Sequence, residues 1–319
     1  MKWYIIPLDF YLTGCILVHF QEVFGLKKRM LFVVNPSSGT LKIKDSLLEV
    51  CQIFCNNGFE INLNVTKYIS DAVKEALDKN EPYDLIVVCG GDGTFNGAVS
   101  TIIKYDEYPP IGYIPSGSTN DFARTVGLSG SPTDIARQIM AGFPRTLDLG
   151  SFNNAYFSYV ASFGAFTEAS YNTPQDLKNK LGHLAYVLEG VKDLSTLEPC
   201  HMRISYQDNE LEGNYIWGAI CNSSSIGGLI RLNQDLIDLN DGIFEVMLIK
   251  APRTIIDLAK IITSITTQVY DPDVVQFFQT DELTIYPETE IPWTLDGEYA
   301  PGSKEIHVKN IHDAFQLIL

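Results

Sequence analysis

The stretch Leu85-Ile86-Val87-Val88-Cys89 runs without a polar break into Gly90-Gly91-Asp92-Gly93-Thr94, and this junction constrains the fold more than any other part of the chain. A continuous apolar run of that length ending in glycine reads as a buried strand that hands the backbone to the start of a helix. Glycines at such a turn are expected to supply positive φ and to let backbone N–H groups approach an anion closely, which makes the loop a candidate phosphate cradle. Asp92 in its middle sets a carboxylate where phosphates would lie, an arrangement that needs a cation such as Mg²⁺ to share the site.

Strand and helix signals alternate around that junction. Met30 to Val34 reads as a strand followed by the turn-rich run Asn35-Pro36-Ser37-Ser38-Gly39, and Ile43, Leu47, Val50, Cys51 and Phe54 then share one helical face before Gly58 stops it. Phe59, Ile61, Leu63 and Val65 alternate with polar residues as in a half-buried strand, and Ser70 is placed to cap a helix running through Lys79. Ile111 to Ile114 predicts a further strand leading into Pro115 to Arg124, and Ser131-Pro132 opens a capped helix that ends at Gly142. This βαβα order implies a parallel sheet with its loops gathered at one edge.

Near Gly150 the texture changes. Tyr156 to Phe163, Met202 to Tyr206, Tyr215 to Cys221 and Ile243 to Ile249 predict strands of a mainly antiparallel β domain, interrupted by a helix from about Asp176 to Leu194. The predicted division is an extension at 1–29, an α/β nucleotide-binding domain at 30–150 and a β-sandwich at 151–319, with a cleft between the two domains. Trp3 to Phe20 is apolar but broken by Pro7, Asp9 and His19, too short and interrupted for a membrane span and without a cleavage site. It reads either as upstream sequence translated from an early start, which is favoured, or as an interfacial anchor completed by Lys27-Lys28-Arg29.

A net charge of −16, from 23 basic and 39 acidic residues, argues against nucleic-acid binding and gives no pull toward an anionic membrane. The six cysteines are scattered without a C-x-x-C pair, which suggests neither a zinc site nor a disulfide framework and fits reduced thiols in a cytoplasmic protein.

Four runs in order, Asn35 to Gly39, Gly90 to Thr94, Pro115 to Arg124 and Leu295-Asp296-Gly297-Glu298, resemble the diacylglycerol kinase and sphingosine kinase superfamily of lipid kinases, within it the bacterial soluble diacylglycerol kinase branch, over roughly Met30 to Leu319. The resemblance implies an N-terminal domain similar to NAD kinases and phosphofructokinases, a C-terminal β-sandwich, and ATP in the cleft. By position it implies ATP contacts from Asn35, Pro36, Ser37, Ser38, Gly39, Thr66, Gly91, Asp92, Gly93, Thr94, Phe95, Asn96, Gly97 and Ser118. Asp296 matches the family's proton acceptor, although Asp296-Gly297 also fits a simple hairpin turn and Asp92 is the rival for the role of base. Asp238-Leu239-Asn240-Asp241-Gly242-Ile243 resembles the family's structural magnesium loop, which implies the Asp241 carboxylate and the carbonyls of Asp238 and Ile243 as Mg²⁺ ligands; Asn-Asp-Gly is equally a turn signal without metal.

The chain departs from the pattern at Gly97, where the family usually carries Glu, and at Ser118, where Thr is more usual. The expected activity is Mg²⁺-dependent transfer of the ATP γ-phosphate to a lipid alcohol at a membrane surface, diacylglycerol first, by a cytoplasmic protein that is peripheral to the membrane if it associates at all. Generic apolar residues such as Phe163, Phe166, Tyr186 and Leu188 do not separate that acceptor from sphingoid bases. NAD kinase activity and a catalytically silent lipid- or nucleotide-binding module are the alternatives. The oligomeric state is left open, a homodimer included.

Overall fold

The computed structural model describes residues 28–38, 43–78, 82–105, 107–117, 120–164, 197–223, 225–226, 230–231 and 238–319. The extension up to residue 27, Gly39, Ser118, the helix expected at 176–194, and Phe166, Tyr186 and Leu188 lie outside the described residues.

The first half alternates strand and helix as β1 (Lys28–Val34), α1 (Ile43–Asn56), β2 (Phe59–Val65), α2 (Ile69–Leu77), β3 (Leu85–Gly90), α3 (Asp92–Ile102) and β4 (Ile111–Pro115), followed by the short α4 (Asp121–Thr125) and α5 (Pro132–Ala141). β1 starts two residues before the expected Met30, because Lys28 and Arg29 already pair with Phe59 and Glu60. The four strands are parallel in the order β2-β1-β3-β4. Every residue of β3 is buried, and each large aliphatic there contributes about 1.5–3 kcal/mol by leaving water. β2 is the open edge, which is why the outer residues of its alternating pattern, Leu63 and Val65, stay exposed.

Helix ends follow local chemistry. Ser131 caps α5 through a capping box with Asp134, as its sequence signals, and Gly58 follows α1 with φ +85°. Ser70 does not cap α2: Tyr68 is the N-cap without a side-chain bond, and the Ser70 hydroxyl instead donates to the Gly97 carbonyl of α3 at 3.1 Å. α2 also ends at Leu77, before the expected Lys79.

The second half is built from β5 (Pro144–Phe152), β6 (Ala155–Phe157), β7 (Val160–Gly164), β8 (Cys200–Tyr206), β9 (Asn209–Cys221), the two-residue pair β10 (Ser225–Ile226) and β11 (Ile230–Arg231), β12 (Phe244–Lys250), α6 (Ile255–Thr267), β13 (Val275–Thr280), β14 (Glu282–Pro287), β15 (Trp293–Leu295), β16 (Glu298–Ala300) and β17 (Ile306–Ile318). Among the described residues the pairings within this half are antiparallel, and Phe157, Phe163, Met202, Ile204, Phe244, Trp293 and Val308 fill the space between its layers. Alternate residues of β12 divide between two cores, Phe244, Val246 and Leu248 facing the sandwich interior while Met247 and Ile249 join the core that continues into the first half. β17 serves both halves. Its start pairs with β14, Leu317 pairs in parallel with Ile111 of β4, and β5 accompanies it with a bulge around His312 to Ala314.

Candidate active site

The chain reverses direction across the sheet between β1 and β3, so the loops after these strands open a crevice at their carboxyl ends. The loop after β3 is a single residue, Gly91, in an extended conformation at φ −83°, ψ −178°. Positive φ is therefore not the reason for its glycines, contrary to expectation; none of Gly90, Gly91 and Gly93 adopts it. They are required by close approach. A Cβ on Gly90 would collide with the Thr94 side chain, one on Gly93 with the Glu298 carboxylate, and one on Gly91 would lie 3.2 Å from the Gly117 Cα.

Side chains from the neighbouring loops close around this junction. Asn35 Nδ2 donates to Thr94 Oγ1 at 2.9 Å, and the Ser38 hydroxyl lies 3.4 Å from the same oxygen. The Asn35 main chain donates to Cys89 O, and its Oδ1 accepts from Ser37 N, an Asx turn that shapes the first loop. From the β4 side, Ser116 N donates to Gly90 O at 2.8 Å, while Asn120, held at φ +51°, bonds Gly117 through both ends of its amide. Thr66 lies at the end of β2, its N–H on Val34 O and its hydroxyl accepting from Tyr68 N. The structure thus brings Asn35, Ser38, Gly91, Gly93 and Thr94 together, with Thr66 on the adjoining strand.

Two of the expected contacts take a different form. The Phe95 ring is fully buried, 4.6 Å from Phe122 and 4.5 Å from Tyr113 between ring centroids, so only its backbone is available to a ligand. Asn96 spends its amide on the protein, donating to Tyr156 O at 3.0 Å and accepting from Ser100 and Ser158. Gly97 leaves room: a Cβ there would touch only Ser70 Oγ, at 3.4 Å.

Asp296 projects from the turn between β15 and β16. It and Gly297 have φ of +52° and +84°, the two-residue hairpin that Asp-Gly favours, so the turn and the buried carboxylate are one feature. Its carboxylate is enclosed by three consecutive amides: Ser158 N donates to Oδ2 at 2.6 Å, and Tyr159 N and Val160 N donate to Oδ1 at 3.0 Å each. Burial outweighs these bonds and pushes the Asp296 carboxyl up to about 7, with the nearby charge of Asp92 adding to the rise. Asp92, at the first turn of α3, accepts from Asp121 N at 3.0 Å, and the Tyr113 hydroxyl beside it is held well above its ordinary range, by burial first and then by that carboxylate. Asp92, Asp121 and Asp296 are each at least nine-tenths buried, and all three raise the neighbouring Tyr159 hydroxyl after burial has done so. Arg124, 3.6 Å from Asp121, is largely exposed.

Such a concentration of carboxylates suits a hard cation. Among the described residues, no three acidic, histidine or cysteine side chains enclose a metal by themselves, so protein oxygens would furnish part of a coordination shell that phosphates and water complete. The Asp238 to Ile243 loop lies before β12, and its Asp238, Leu239 and Asn240 line a cavity with Thr125 and Val126. Asp238 Oδ1 accepts from Asn240 N, Asp241 Oδ1 from Ile243 N, and Gly242 N donates to buried Asp148 at 2.6 Å. Burial, then Asp238 and Asp148, raise the Asp241 carboxyl, and a cation there would relieve the repulsion.

Sequence reasoning missed the Ser158 to Val160 amides and the Asp121 and Tyr113 contacts. Backbone donors carry no residue-type signal, and Asp121 is one of several polar residues in the Pro115 to Arg124 run.

The family model described as the diacylglycerol kinase catalytic domain matches residues 29–152, and that described as the YegS C-terminal NAD kinase beta sandwich-like domain matches residues 160–316. The diacylglycerol kinase of Bacillus subtilis (strain 168) is 32% identical over 295 residues, covering 89% of this chain and 95% of that protein. The diacylglycerol kinase of Staphylococcus carnosus (strain TM300) is 32% identical over 282 residues, 86% of this chain and 90% of its own. A crystal structure of a diacylglycerol kinase from Bacillus anthracis str. Sterne shares the fold at a TM-score of 0.68 and 19% identity, over 92% of this chain and 96% of that one.

Proposed function

The chain belongs to the diacylglycerol kinase family of lipid kinases, and on that premise we propose that it transfers the γ-phosphate of ATP, in the presence of Mg²⁺, to the free hydroxyl of diacylglycerol. One observation carries the reading: the buried Asp296 carboxylate lies within the field of Asp92 at the glycine junction built for close backbone approach, on a hairpin whose Glu298 meets Gly93. Asp296 takes the hydroxyl proton as the oxygen attacks, and a carboxyl poised at about 7 is matched to that exchange at neutral pH. The three amides around it fix its direction. The α3 N-terminus with Gly91, together with Asn35, Ser37, Ser38, Thr66 and Thr94, forms the phosphate-facing side, with Gly39 and Ser118 proposed from the resemblance alone. Mg²⁺, when bound, neutralises charge on the phosphate oxygens, and Asp92 is the residue proposed to help hold it. No helix among the described residues is long and apolar enough to cross a membrane.

The test is product formation by the full chain with ATP and Mg²⁺ against diacylglycerol, sphingosine and monoacylglycerol in mixed micelles, and against NAD. Phosphatidic acid is the expected product. Turnover confined to sphingosine or NAD, or ATP binding without any phosphorylated product, would overturn the proposal.

A second Mg²⁺ is proposed at the Asp238 to Ile243 loop, held by the Asp241 carboxylate and the Asp238 and Ile243 carbonyls. A metal binding only the folded chain stabilises it by about 2.7 kcal/mol at a hundredfold excess over Kd. Without nucleotide, the wild type should melt at a higher temperature in Mg²⁺ than in chelator, and Asp241→Ala should remove the difference and lower activity. Equal melting temperatures for the wild type would remove the site.

A further inference from the structure

We propose that Asn96 is a positioning residue, which fixes the turn at Ser158 and through it the Asp296 carboxylate against the helix that starts at the phosphate-facing junction. This role rests on the reading of Asp296 as proton acceptor. Asn96 lies one turn into α3, four residues beyond Asp92. Its Nδ2 donates to Tyr156 O at 3.0 Å, and its Oδ1 accepts from the Ser158 hydroxyl at 3.4 Å and from the Ser100 hydroxyl at 3.2 Å. Both ends of the amide are thus engaged inside the protein, one bond reaching β6 at Tyr156 and one the turn after it at Ser158.

That turn holds the carboxylate. Ser158 N donates to Asp296 Oδ2 at 2.6 Å, the shortest of the three bonds on the acid, and Ser158 is 2% exposed. Phe157 stacked on Phe244 and Asn222 N on Tyr159 O anchor the turn within the β-sandwich, and β6, three residues long, pairs with β5; the Asn96 bonds tie it to α3. The bonds from Asn96 therefore link the helix that begins at Asp92 to the strand turn that aims Asp296. Glu298, beyond the hairpin, rests against Gly93, so the same helix meets the acid-bearing turn from a second side. Proton transfer requires the base within about 2.6–3.2 Å of its target, and a displacement of about 1 Å can cost a hundredfold, so a small slackening of this link reaches the rate.

The direction of the pH effect follows from the bonds. The Ser158 amide favours the charged carboxylate, so loosening it raises the acid's pKa and moves the acidic limb of the rate profile to higher pH. Asn96→Ala is expected to lower kcat about tenfold near pH 6 and about threefold near pH 9, with KM for ATP within about twofold of wild type. Ser158→Ala, which removes only the hydroxyl link to Asn96, should move the limb the same way by less, and it decides the question if Asn96→Ala does not fold. An equal loss at every pH in these variants, or a raised KM for ATP with kcat unchanged, would overturn the role in favour of a structural or a nucleotide-binding one. Asp296→Asn assayed in parallel separates the two levels: if it stays active, the acceptor reading fails and this role with it. If it is inactive while the Asn96→Ala and Ser158→Ala profiles superimpose on the wild type, only the positioning role fails.

Discussion

Asp296→Asn should lower lipid phosphorylation by about 10²- to 10⁴-fold while nucleotide affinity persists, because the proposed proton acceptor goes and the glycine junction remains. Asparagine tolerates the φ of +52° at this position, so the hairpin itself is not strained. Its Oδ1 can still accept from Tyr159 and Val160, but its Nδ2 then faces the Ser158 N–H, donor against donor, at a cost of about 1–3 kcal/mol. A second effect works against that cost. The folded-state pKa of about 7 lies above the ordinary 3.8, so the native state holds the proton more tightly than the unfolded chain. Stability from this group is full below the unfolded value and is lost as pH rises through about 7. The variant has no such charge, so its stability relative to wild type should improve from pH 4 to pH 8 even as activity disappears. Radiometric turnover, calorimetric ATP binding and melting temperature against pH read the three parts. Near-wild-type turnover would end the assignment of Asp296 as proton acceptor.

Gly117→Ala is expected to be the most damaging single methyl in the nucleotide crevice. The added carbon would lie 2.7 Å from the Gly91 Cα and 2.8 Å from Asn120 Oδ1, and the nearer neighbour is backbone that has no rotamer to change. The two loops must move apart, at about 1–3 kcal/mol for overpacking, which is a factor of about 5 to 150 if all of it falls on ATP affinity. Gly58→Ala is the informative comparison. Gly58 has φ +85° and nothing within 4 Å of its Cβ, so alanine there should reduce stability and leave affinity alone. ATP titration of both variants distinguishes them; an unchanged Kd for Gly117→Ala would mean the loops do not meet at the nucleotide.

How far the sequence could be read depended on whether the determinant was a side-chain pattern or a backbone position. Leu85 to Cys89 specified a central strand because both faces are buried, and Ser131-Pro132 specified a helix start because capping is local chemistry. Asp296-Gly297 was legible as a turn and, by resemblance, as a candidate base, but not as both at once; that took knowing where the hairpin tip is buried. Of the two reasons expected for the glycines, positive φ does not hold, and the contacts of Gly91 with Gly117 and of Gly93 with Glu298 are tertiary and leave no mark on the loop's own sequence, whereas that of Gly90 with Thr94 lies within the run. Ser70 misled because a hydroxyl that can cap its own helix can equally bond a neighbouring one, and here the Gly97 carbonyl lies within reach. The amides of Ser158 to Val160 were beyond sequence reading, because every residue but proline has one.

The shared strand β17 also bears on synthesis. β4 finds its outer partner at Leu317, and the Tyr108 hydroxyl bonds the Ala314 carbonyl 206 positions later. On a ribosome, the parallel sheet must therefore wait with β4 uncovered until the whole β-sandwich has been translated. Such contacts between remote residues are slow to form, and an exposed strand edge is the surface on which nascent chains misassociate. Completion of the α/β half is thus deferred until the β-sandwich half exists, since β17 contributes to both.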